Sequence, residues 1–228
     1  MQNGSFQSPI RDSRINAVIE RLHESRRHPS RYSAIRSALK RAAWYGGPRA
    51  NPDPDPGEYA EYGFSIYPEQ GALIYLLCRG MRAQRVVEFA TSIGMSTLYF
   101  AAAMRDNGGG TVIGSELVPA KVAAAGRNLA DAGLSRYADI REGDARHTLR
   151  DLGGAVDFVL IDGWPVGEGR SLARQVIEIV APQLRVGGYV MNDNGEPDFL
   201  EFIRDPANGF LSVTLPLKGG TELSVKIA

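Results

Sequence analysis

RVVEFATSIGMS, Arg85–Ser96, is the stretch whose reading decides the fold. Arg85–Ala90 is short, apolar and β-branched, as a buried strand requires. Ala90–Ser96 is a turn of small residues around Gly94, and a helical pattern runs from Gly94 to Arg105. A strand passing through a tight small-residue turn into a helix opens a βα unit.

The same alternation continues downstream. Strands are expected at Thr111–Glu116, Ala138–Gly143, Val156–Asp162 and Gly188–Asp193. Helices are expected at Pro119–Ala132, Ser171–Leu184 and Pro197–Arg204. Pro begins the first of these and Gly133 follows its end, as helix boundaries favour. Phe210–Leu217 and Thr221–Ile227 flank Lys218–Gly219–Gly220 and read as a hairpin. Helical crossovers force parallel pairing with right-handed connections. The expected fold class is therefore α/β, a Rossmann-like doubly wound sheet of seven strands. It is mostly parallel and ends in an antiparallel hairpin.

Upstream, Pro68–Gly80 reads as a helix with Pro in its first turn. Arg14–His23 places Ile15, Val18, Ile19 and Leu22 at helical spacing, and Pro29–Ser30 breaks that helix. A second helix is expected from Ser30 to about Trp44. NPDPDPG (51–57) suits neither helix nor central strand, because each Pro lacks a donor and restricts its predecessor. This divides the chain into a helical extension with a Pro-rich linker, 1–63, and a main domain, 64–228.

The bulk properties bound the function. The chain has 228 residues, 43% hydrophobic and 23% charged, with a formal net charge of zero. One α/β domain plus an extension fits that length, and nothing pulls the whole molecule toward nucleic acid or an anionic membrane. The charge is uneven, however. Arg11, Arg14, Arg21, Arg26, Arg27, Arg31, Arg36, Arg41 and Arg49 crowd the extension, while Asp53, Asp55, Glu58, Glu61 and Glu69 follow it. A solvated helical face and an arm that meets a partner both fit. Cys78 is the only cysteine, so no intrachain disulfide forms. No apolar run is long enough to span a membrane, and MQNGSFQSPIRDS lacks the apolar core of a signal peptide. A cytoplasmic location is expected.

In doubly wound sheets the ligand sits beyond the C-terminal ends of the strands. The strands here leave through Glu88–Gly94, Glu116, Gly143–Ala145, Asp162–Trp164 and Asp193–Asn194. Polar and acidic groups thus gather on one edge. The first turn, ATSIGMS, has one glycine where a dinucleotide fingerprint needs three. It suits a ligand with an amino-acid tail better than a pyrophosphate. Glu116 can accept from ribose hydroxyls, a role that alone does not exclude a dinucleotide.

At this point the chain resembles the class I S-adenosylmethionine-dependent O-methyltransferases of the catechol and caffeoyl-CoA type. The resemblance covers residues 64–228. It rests on FSIYPEQG (64–71), VVEFATSIGMST (86–97), Glu116, AGL (132–134), EGDA (142–145), VLIDGW (159–164), LRVGGYVMNDN (184–194), PDFLEFIRD (197–205) and GGTELSVKI (219–227). It implies S-adenosylmethionine as cofactor and a small-molecule acceptor. Ile66 would offer its backbone to the methionine end, and Glu88, Ala90, Ser92, Gly94 and Ser96 would surround that part. Glu116 would hold the ribose and Leu117 would pack on adenine, with Asp144, Ala145 and Trp164 walling the ring. Asp162, Asp193 and Asn194 would bind a divalent ion, and hard oxygen ligands suit Mg²⁺. Asp162, facing the cofactor and the metal, is the candidate catalytic residue. The family often forms homodimers, and the N-terminal helices offer an apolar stripe for one.

Two departures stand out. Many family members carry a catalytic lysine where this chain has Pro165, and most have glycine where it has Ala90. Ala90 is expected at negative φ, where alanine costs nothing. His147 reads as an exposed helix-start residue. Asn192 reads as support for the metal pair. Trp44, Tyr45, Tyr59 and Tyr62 suit either packing or a substrate pocket. Two other functions remain open. One is an RNA-modifying methyltransferase using the basic arm. The other is a non-catalytic module that binds cofactor and a partner.

Overall fold

The computed structural model describes residues 7–27, 65–163 and 169–228. The expected helix from Ser30 and the linker at 51–57 lie outside them. The described elements run α1 (Ser13–Arg27), α2 (Pro68–Gly80), β1 (Arg85–Phe89), α3 (Met95–Asp106), β2 (Thr111–Glu116), α4 (Pro119–Asp131), β3 (Ala138–Glu142), α5 (Ala145–Thr148), β4 (Val156–Ile161), α6 (Leu172–Val180), β5 (Leu184–Asn192), α7 (Pro197–Arg204), β6 (Phe210–Leu215) and β7 (Thr221–Lys226).

One sheet of seven strands has the order β3-β2-β1-β4-β5-β7-β6. The pairs β1–β2, β1–β4, β2–β3 and β4–β5 are parallel, and β5–β7 and β6–β7 are antiparallel. The chain order reverses between β1 and β4, so the ligand crevice of such a sheet opens beside these two strands. The Rossmann-like class and the closing hairpin are as expected. Three limits shift. β5 starts at Leu184 rather than Gly188, and the helix before it stops at Val180 in a 3₁₀ turn at Ala181–Gln183, because Pro182 cannot continue the hydrogen-bond ladder. The first helix runs on to Arg27.

Both faces of the sheet are covered, and residues alternate between two cores. Val86, Phe158 and Leu160 face one core with Ile15, Ile74, Cys78, Leu98 and Phe100. Val87, Val159 and Ile161 face the other with Val176, Ile177 and Phe199. Each such side chain, buried completely, contributes about 1.5–3 kcal/mol. The Phe100 and Phe158 rings tilt against each other with centroids 5.3 Å apart. Cys78 is wholly buried, which pushes its thiol pKa up.

The helix α1 belongs to this core through Ile15, Val18, Ile19 and Leu22. Part of the basic arm thereby finds a structural use. Arg14 Nη2 donates to the carbonyl of Ala130 at 3.0 Å, at the C-terminal end of α4, where carbonyls lack helical partners. Arg21 donates to Asn128 at 2.9 Å and pairs with Asp131 at 2.8 Å. Among the described residues no helix is long and apolar enough to cross a membrane.

Candidate functional site

The turn after β1 is held in a demanding backbone shape. Ala90, Ser92 and Gly94 have φ of 68°, 51° and 87°. The expectation for Ala90 is therefore corrected: it lies in the left-handed region, where a β-carbon costs about 1–2 kcal/mol. The reason is visible in the hydrogen bonds. The N–H groups of Ala90 and Thr91 both donate to the carbonyl of Ser115 at 3.1 Å, which curls the chain over the end of β2.

That curl brings Ser92 to Glu116. The Ser92 N–H donates to Glu116 Oε2 at 2.8 Å, and the Val118 N–H donates to Oε1 at 2.9 Å. A carboxylate offers about four acceptor positions, so two amides fix it and leave capacity for a pair of hydroxyls. Ser92 Oγ is buried with no partner among the described residues. Leu117, beside it, is 51% exposed, unusual for a leucine that follows a core strand. An oriented acid, an orphaned hydroxyl and an uncovered leucine lie together here, a set that can meet a ligand carrying hydroxyls and an apolar ring.

Glu88 lies beneath the turn, 1% exposed. Ser96 Oγ donates to it at 2.7 Å, and Thr97 Oγ1 donates to its other oxygen. Burial pushes its pKa up, and the hydroxyls of Thr97, Ser96 and Thr91 pull the other way. Ile66 is buried just before α2, and Ala145 is buried at the start of α5. Asp144 caps α5 by accepting the Arg146 N–H at 2.8 Å, and the Arg146 side chain holds its pKa below the usual carboxylate range. Trp164 and Pro165 lie outside the described residues. His147 is exposed, as expected.

The ends of β4 and β5 bring Asp162, Asp193 and Asn194 together. The Asp193 N–H donates to the carbonyl of Ile161 at 3.1 Å, and Asn194 Nδ2 to that of Gly163 at 2.7 Å. Gly163 must be glycine, since a β-carbon there would lie 1.7 Å from the Phe89 ring. Burial, then the neighbouring Asp193 charge, raises the Asp162 pKa well above the ordinary value, while Lys218 opposes the shift.

Three residues that the sequence did not single out complete this cluster. Gln70, in the first turn of α2, is fully buried. Its Oε1 accepts the Tyr67 N–H at 2.8 Å, and its Nε2 donates to Thr221 Oγ1 at 2.9 Å and to Asp193 Oδ1. Lys218, at the hairpin tip, places its ammonium on Asp193 Oδ2. Glu196 is buried; one oxygen accepts from Asn192 Nδ2 at 2.9 Å and the other has no partner among the described residues. Burial raises its pKa. Asn192 also accepts the Gly195 N–H at 2.6 Å, so it ties the 192–196 turn together. Asp193 thus accepts from an ammonium on one oxygen and from an amide on the other. Among the described residues no group of three or more His, Cys, Asp or Glu is placed to hold a metal.

Comparison with known proteins agrees with this architecture. A family described as a methyltransferase domain matches residues 87–195. A catechol O-methyltransferase of Niastella koreensis is 34% identical over 57% of the chain, which spans 62% of that protein's length. A Mycolicibacterium smegmatis protein, assigned provisionally to the O-methyltransferases by its name, is 34% identical over 71% of this chain and 83% of its own. The Bacillus cereus O-methyltransferase, solved in complex with SAH, superposes with a TM-score of 0.62 at 18% identity, covering 95% of this chain and 92% of that one. With this strand order, this turn and these relatives, the chain belongs to the class I O-methyltransferase family.

Proposed function

We propose that the protein transfers a methyl group from S-adenosylmethionine to a hydroxyl oxygen of a small acceptor, an aromatic compound or a natural-product intermediate. The observation that carries this reading is Glu116, held by the Ser92 and Val118 amides beside the exposed Leu117. S-adenosylmethionine, when bound, supplies a methyl group on a positively charged sulfur. The residues Ile66, Glu88, Ala90, Ser92, Gly94 and Ser96 would hold its amino-acid end, Glu116 its ribose, and Leu117, Asp144 and Ala145 its base, with Trp164, outside the described residues, as a further candidate there. With the acceptor oxygen in line behind that methyl group, the new O–C bond would replace the C–S bond, and the hydroxyl proton would have to leave. We assign that proton to Asp162, whose carboxyl leaves β4 at the crevice end of the sheet. Holding acceptor and donor in line supplies much of the rest.

The divalent ion of the resemblance is not carried into this mechanism, since Gln70 and Lys218 already engage Asp193. The RNA reading is disfavoured by Arg14 and Arg21, which are bound to α4. A tritium-transfer screen over phenols with one hydroxyl and with two adjacent hydroxyls tests the proposal. Label should enter at least one acceptor and fall about a hundredfold or more with Asp162→Asn. Tight cofactor binding with no transfer to any acceptor would favour the non-catalytic module.

A further inference from the structure

Asp193 is wholly buried at the end of the central sheet, and it is not left bare. The ammonium of Lys218 contacts one oxygen and the Gln70 amide the other, and the Lys218 charge also acts on Asp162. The lysine comes from the β6–β7 hairpin, on the far side of β5 from Asp162, so the contact spans 25 residues of sequence. Its side chain is 26% exposed and rises past the Tyr67 ring, with Nζ 5.7 Å from the centroid.

The backbone of Lys218 makes the contact more informative. Its φ is 49°, and Gly219 and Gly220 follow at 89° and 135°. A tip of this shape accepts glycine without cost and a lysine only with strain. Strain retained at one residue of a hairpin tip needs a local return, and the ion pair with a buried carboxylate, beside the contact with the Tyr67 ring, supplies one. Two acids side by side, one buried and one partly buried, need a positive charge near them. A divalent cation is one solution and a fixed ammonium is another.

We propose that Lys218 is the resident cation of this site: its ammonium takes the place on Asp193 that a divalent ion would need, and the protein works without one. The inference rests on the methyltransferase reading for its purpose, though not for its test. A lysine ammonium has three donors and does not chelate. With one donor on Asp193 and its side chain 26% exposed, the ammonium keeps donors that can meet a single acceptor oxygen.

Removing the lysine should therefore create a metal site. The test is a Mn²⁺ titration followed by the electron paramagnetic resonance of the free ion, on the full chain. Wild type should bind no Mn²⁺ at this position. Lys218→Gly suits the backbone, so it should fold, and it should gain one ion per chain that wild type does not bind. Lys218→Met, which keeps the stem over Tyr67, should gain the same site. Adding Asp193→Asn to either variant should abolish the gain. A wild-type site lost on Asp193→Asn would overturn the inference, as would the absence of a new site in both Lys218 variants. Calorimetric binding of S-adenosylhomocysteine to the same samples separates the two claims: no binding to wild type defeats the methyltransferase reading, while the Mn²⁺ result still decides the cation.

Discussion

The Ser92 N–H donates to Glu116 Oε2 at 2.8 Å, joining the turn after β1 to the acid that ends β2. The bond orients the carboxylate before any ligand arrives, which lowers the ordering cost of binding. Glu116→Ala should weaken S-adenosylhomocysteine binding by about 1.5–3 kcal/mol, the worth of a charged hydrogen bond. Calorimetry reads this as roughly a ten- to hundredfold loss. An unchanged affinity would place the ribose elsewhere.

Ala90 carries a β-carbon at φ 68°. Ala90→Gly relieves that strain, against some gain in unfolded-state entropy. The net stabilisation should be about 0.5–1 kcal/mol, a rise of roughly 1–4 °C in thermal midpoint for a chain of this size. A fall in midpoint would show that the methyl group packs usefully against the second core.

Gly163 follows Asp162 with the Phe89 ring where a side chain would go, 1.7 Å from an added β-carbon. Neither the ring nor the strand can move cheaply in a close-packed interior. Gly163→Ala should cost about 3 kcal/mol, seen in denaturant unfolding, and should displace Asp162 with it. Wild-type stability in this variant would mean that the 163 loop relaxes freely.

Burial raises the pKa of Glu88 in the folded state. The folded protein then holds the proton more tightly than the unfolded chain does. That contribution to stability is complete below the unfolded value, about 4.5, and is lost as pH rises through the raised folded value. Glu88→Gln has no such loss. Its thermal midpoint relative to wild type should climb from pH 4.5 upward, while its cofactor affinity falls. A gap that stays constant with pH would mean that Glu88 titrates alike in both states.

Much of this was readable from residue order. Alternating apolar strands and proline-started helices gave β2, α2 and α7 their limits, because period and end chemistry are local properties. The acids at the strand ends were readable for the same reason. The φ of Ala90 was not, since it depends on where the Ser115 carbonyl lies. Lys218 read only as part of a hairpin turn, and Gln70 as one residue of a first helical turn. Their meeting at Asp193 joins residues 70, 193 and 218, which only the sheet order brings together. The resemblance named Asp193 as a metal ligand, and no motif marks which cation a carboxylate meets.

The central claim is a site for an adenosyl amino acid in place of a dinucleotide, and calorimetry with both ligands tests it most directly. The account predicts one S-adenosylhomocysteine per chain, with a Kd on the order of micromolar, about −8 kcal/mol, and no measurable heat from NAD. Binding of NAD with no response to S-adenosylhomocysteine would contradict it.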